Sequence, residues 1–146
     1  MAVPAGPLHV PNLTSDLEDE SGSLSVRVDR ATGIIRVYNR GFYSLDLITR
    51  HFEAVERIGR AVLQTWGRLK ILTDLRGMPV QSAKVTEIIS SGTSRTFRAG
   101  DLVARIVDSK LLGMQMTRLN DQAFCRNFDD PQAAEIWLLS EIDTAL

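Results

Sequence analysis

The sequence has one cysteine, two histidines and three lysines in 146 residues, and each scarcity excludes a class of protein. A single cysteine can build neither an intramolecular disulfide framework nor a multi-cysteine metal site, and it suits a reducing cytoplasm. His9 and His51 have no Asp, Glu or Cys at metal-ligand spacing, so no metal is expected. Neither G-x-G-x-x-G nor G-x-x-x-x-G-K-[ST] occurs, which removes the common phosphate-cradling loops; no cofactor is expected. The longest charge-free run, Met1 to Ser15, contains Pro4, Pro7 and Pro11, so no membrane span is expected. That run also lacks the basic start and continuous apolar core of a signal peptide.

The remainder is ordinary globular material: 44% hydrophobic, 24% charged and 6% aromatic, at a length that suits one domain. Net charge is −1, and the 14 arginines and three lysines are spread without a tract, so no nucleic-acid partner is expected. The total hides an asymmetry. Asp16, Glu18, Asp19 and Glu20 precede Ser23 with no base among them, so the rest of the chain carries three more bases than acids. Acidic and proline-bearing, residues 1–23 read as a flexible arm before a single domain over 24–146.

Within that domain, Leu24, Val26 and Val28 alternate with polar residues, and a turn-prone run leads to Ile34–Tyr38, which predicts a β-hairpin. Leu45, Ile48, Phe52, Val55, Gly59, Val62 and Trp66 form a helical stripe, capped by Ser44 and Gly67. Gly59 suggests a close approach to a sheet. Leu69–Leu75 and Leu102–Val107 read as buried strands. A helix from Ser82 to about Phe97 lies between them, although Ser90–Ser94 has poor helix propensity. Asp108 or Ser109 can cap a short helix through Leu111, Leu112, Met114 and Leu119. Ala123–Phe128 reads as a last strand. Asp130-Pro131 starts a closing helix that buries Ala134, Trp137, Leu138 and Ile142. The expectation is an α/β fold: a mixed, mostly parallel sheet of about five strands with a hairpin start and four helices.

Candidates for chemistry are few. Cys125, beside Phe124, reads as a small hydrophobe rather than a nucleophile. No catalytic set is expected. Asp74 closes the Leu69–Leu75 strand, and Arg76 and Gly77 follow it on the way to Ser82. Ligand and partner surfaces collect at the carboxyl ends of strands in open α/β sheets, and a helix start favours an anion. Asp74, Arg76, Gly77 and Ser82 are therefore the candidate binding loop. The alternative is that Asp74 caps a turn and Arg76 is merely exposed.

The run Gly67–Gly77, with its apolar strand closing in Asp-Leu, resembles the STAS superfamily, and in particular its SpoIIAA-like branch of small stand-alone bacterial domains. Ala99–Ala104 and Phe128–Leu138 carry the rest of the likeness, which spans about Leu24 to Leu139. The resemblance implies a non-enzymatic regulatory or protein-interaction domain, like the antagonists that bind anti-sigma kinases. Related domains of similar fold hold small apolar ligands, which gives the alternative of a small-molecule or lipid-binding module, with Met114 and Met116 as lining residues. The family's switch is a phosphorylated serine that falls here on Ala83, which has no hydroxyl. Ser82 could serve as phosphosite only with the loop shifted by one residue; capping is the simpler role. A homodimer could form through an exposed sheet edge.

Overall fold

The computed structural model describes residues 13–98, 100–119 and 124–144. Ten elements alternate along the chain: β1 (Thr14–Asp19), β2 (Gly22–Val28), β3 (Ile35–Gly41), α1 (Leu45–Trp66), β4 (Lys70–Asp74), α2 (Ala83–Thr96), β5 (Leu102–Ile106), α3 (Lys110–Leu119), β6 (Cys125–Phe128) and α4 (Pro131–Thr144). The strands form one six-stranded sheet in chain order. β1, β2 and β3 pair antiparallel, and β3 to β6 are parallel. The chain is thus α/β with a mixed sheet and four helices.

The sheet has six strands rather than five, and the extra one comes from the stretch expected to be a flexible arm. Residues 14–23 form β1, the first turn of the meander and the start of β2; Met1 to Asn12 lie outside the described residues. An edge strand needs little apolar surface. Leu17 is the one large apolar side chain that β1 packs against the core. The acids do the rest: Asp16 pairs with Arg27 across the ladder at 2.9 Å, and Asp19 accepts from Ser21 N at 2.7 Å and from Ser44 Oγ at 2.8 Å. Hydrogen bonds from the Ser21 and Ser44 hydroxyls hold the Asp19 carboxyl below the usual range. Charges along an exposed edge also discourage pairing with another chain.

α1 runs as expected from Ser44, whose Oγ accepts from Leu47 N at 3.1 Å, to Gly67 in the left-handed region. Leu45, expected in the buried stripe, is exposed. Gly59 does not enforce a close approach, since a Cβ there would meet Leu69 at an ordinary 3.5 Å. The close approach is at Gly92, where a Cβ would lie 2.5 Å from the Phe52 ring. This explains why the Ser90–Ser94 stretch is helical despite its propensity. It gives up intrinsic stability so that α2 can seat against α1.

Ser109, rather than Asp108, caps α3, and Asp130 caps α4. Ala123 and the side chains of Leu119 and Ile142 lie outside the described set. Ala134 and Leu138 of α4 pack on Leu72, Ala104 and Ile106 on one face of the sheet. α1, α2 and α3 cover the other face.

Candidate functional site

The four loop residues lie together at the carboxyl end of β4, and their polar groups are engaged locally. Asp74 Oδ1 accepts from Arg76 N at 3.1 Å and from Arg76 Nε at 2.9 Å, and Oδ2 accepts from Nη2 at 2.7 Å. The Arg76 guanidinium holds the Asp74 carboxyl below the usual carboxylate range. Asp74 therefore caps a turn, and the arginine's charge is answered within its own loop. Gly77 turns the chain at φ 79° and donates to Asp108 Oδ1 at 3.2 Å. Ser82 caps α2, its Oγ accepting from Val85 N at 3.2 Å.

Gln81 fixes this loop in place. It is buried; its Oε1 accepts from Tyr43 N at 2.9 Å, and its Nε2 donates to Gly41 O and Pro79 O, each at 2.9 Å. Its backbone exchanges two bonds with the Gln115 side chain of α3, both at 3.1 Å. The loop is thereby tied to the start of α1 and to α3 at once.

Behind the loop lies a pocket of about 80 Å³ between the sheet and α1, α2 and α3. Strand register explains its character. Ile35, Ile71 and Val103 stand opposite one another, and two residues nearer the carboxyl ends stand Val37, Thr73 and Arg105. Side chains two apart share a sheet face, so this face changes from apolar to polar toward the carboxyl ends. Phe52, Val55, Ile71, Phe97 and Val103 line the pocket together with Asn39, Thr73, His51 and Arg105. Asn39 Nδ2 donates to Thr73 Oγ1 at 2.8 Å, and Tyr43 Oη donates to Asn39 Oδ1 at 3.2 Å.

Two polar side chains in this lining are under-satisfied. Arg105 is only 6% exposed; Nη1 donates to Met116 O at 3.1 Å, while Nε has no partner. No carboxylate among the described residues lies within ion-pair distance of it. Burial pushes its pKa down, yet arginine keeps its charge in proteins. A buried cation with a single hydrogen bond among the described residues is costly unless something else meets it. His51 is also 6% exposed, with Nδ1 unpartnered. Burial pushes its pKa down to about 4, so the ring is neutral at pH 7.

No group of three or more His, Cys, Asp or Glu among the described residues could hold a metal ion. Cys125 is half-buried, and burial raises its thiol pKa. No helix among the described residues is long and apolar enough to cross a membrane.

Sequence reasoning placed Arg105 in a strand read as buried and passed over it. Its signal was plain: a charged residue inside Leu102–Val107, where every neighbour is apolar. His51 stands one position before Phe52, and nothing in the chain order links it to β5. Met116 lines the pocket, whereas Met114 is exposed. Comparison with protein-family profiles, with curated proteins and with solved structures finds no match in any of the three.

Proposed function

We propose that this chain is a non-enzymatic binding module that holds a small molecule in the pocket beneath α1, α2 and α3, on a fold of the STAS type. The observation that supports it is the pocket itself: mostly apolar walls with a few convergent polar groups, the usual make-up of a small-molecule site. A cavity of this kind that takes benzene measures about 150 Å³, so the about 80 Å³ here restricts the ligand to a small one. Methionine and isoleucine side chains in the wall, Met78, Met116 and Ile89, can adapt to it. Native mass spectrometry of the chain purified from its own source tests the reading. A co-purifying small molecule is expected. A ligand-free protein that no member of a fragment library stabilises would sink it.

A second reading, a regulatory domain that docks a protein partner, draws support from a different surface. Val80, Leu111 and Met114 are exposed, at 41%, 69% and 48%, and line one groove with Gln115 and Arg118 beside the Asp74–Ser82 loop. Clustered exposed apolar side chains mark interaction sites. The family's anti-sigma-type partners belong to this reading, and so does Ser82 as a phosphosite. The two readings are compatible, since Gln81 bonds both Tyr43, which lines the pocket, and Gln115, which lines this groove.

A further inference from the structure

We infer that the pocket's ligand is a small monocarboxylate with a short apolar body, its carboxylate meeting Arg105. The inference rests on the small-molecule reading above and names the chemistry that reading leaves open.

Arg105 supplies the first argument. Lys, Arg, Asp and Glu are almost never fully buried unless paired, and this guanidinium lines an interior pocket with no carboxylate of the described chain beside it. Its one acceptor among the described residues, the Met116 carbonyl, belongs to the last turns of α3. The negative end of that helix offsets part of the charge and leaves Nε without an acceptor. A carboxylate matches the guanidinium fork and supplies the missing counter-charge.

Polarity along the sheet supplies the second argument. The strand residues lining the pocket are Ile71 and Val103 on the amino side, then Val37, Thr73 and Arg105 in register, and Asn39 beyond Val37. Every polar strand residue in the lining is thus on the carboxyl side. Such a pocket sorts a ligand end to end, head toward Arg105 and hydrocarbon toward Val55, Ile71 and Phe97. His51 is the third. It lines the same pocket as a neutral ring with an unpartnered nitrogen, and neutral imidazole carries one N–H donor. A donor that adds no charge to a pocket already holding one guanidinium suits a monoanion, and a second cation would be needed for a dianion. The pocket's volume excludes long acyl chains.

The test is isothermal titration of the full-length wild-type chain with acetate and propanoate against the matched amides, acetamide and propanamide, repeated on Arg105→Met. Carboxylates are expected to bind at least tenfold more tightly than the amides, and the preference is expected to vanish in the variant. Equal binding of acid and amide to wild type would overturn the carboxylate assignment while leaving the pocket a binding site. A preference that survives Arg105→Met would overturn the role of Arg105. Binding of none of the four would overturn the inference. The wild-type comparison decides the first question even if the variant fails to fold.

Discussion

Arg105 Nη1 donates to the Met116 carbonyl at 3.1 Å, and this is the one hydrogen bond its buried guanidinium makes within the described chain. The contact joins the central parallel strands to α3 and leaves Nε of this pocket-lining side chain without a partner. A residue kept for a ligand rather than for the fold should be dispensable to the fold. Replacing buried charges by well-packed apolar groups is often neutral or stabilising. Arg105→Met is therefore expected to be as stable as wild type or more stable, by about 1 kcal/mol in urea denaturation. A loss of about 3 kcal/mol or more, the cost of breaking a needed buried pair, would instead make Arg105 a structural strut.

The two helix glycines should respond in opposite directions. Gly59→Ala places its methyl in ordinary contact with Leu69 and raises helix propensity, so a gain of about 0.5–1 kcal/mol is expected. Gly92→Ala drives a Cβ into the Phe52 ring and is expected to destabilise by about 1–3 kcal/mol, as overpacking does. Phe52 also lines the pocket, so the second variant should weaken ligand binding as well. Denaturation midpoints of both variants check the pair.

His51 makes stability depend on pH. Its folded pKa, about 4, lies below the ordinary 6.5, so between those values the unfolded chain binds a proton that the folded chain does not. Stability is therefore expected to be full above pH 6.5 and to fall as pH drops toward 4, by about 3 kcal/mol from this group. His51→Gln should flatten that part of the profile. Identical pH profiles for wild type and variant in urea titrations would contradict the assignment.

The outer groove can be separated from the fold in the same way. Leu111→Glu alters a side chain that is 69% exposed and is expected to change stability by no more than about 0.5 kcal/mol. Under the second reading it should abolish recovery of the partner that wild type captures from the native cell. Unchanged recovery would remove this groove as the docking face. Ser82→Ala, by contrast, removes the α2 cap and should cost about 1 kcal/mol in thermal or urea unfolding.

Most of the architecture was legible from local patterns. Ser44, Gly67, Ser82 and Asp130 mark helix ends through short-range capping, and the apolar runs at β4 and β5 announce buried strands. β1 was not legible, because its stability comes from partners distant in sequence. Leu17 meets a core assembled from α1 and β2, and Asp19 is bound by Ser44 of the next helix cap. An acidic, proline-adjacent stretch looks the same whether or not such partners exist. The loop Asp74–Ser82 was located correctly at a carboxyl strand end, yet its charges turned out to satisfy each other. The pocket behind it was invisible for a topological reason. Asn39, His51, Thr73 and Arg105 come from four elements, and only strand order and helix placement bring them to one interior wall.

The Arg105 side chain itself offers the most direct test. Its Nε–H has no acceptor in the unliganded protein, so its nitrogen-resolved NMR signal reports on whatever enters the pocket. On titration with propanoate the account expects a downfield shift of that proton and slower exchange with water, with propanamide producing neither. An Arg105 signal that stays unmoved while propanoate saturates the protein would contradict the account.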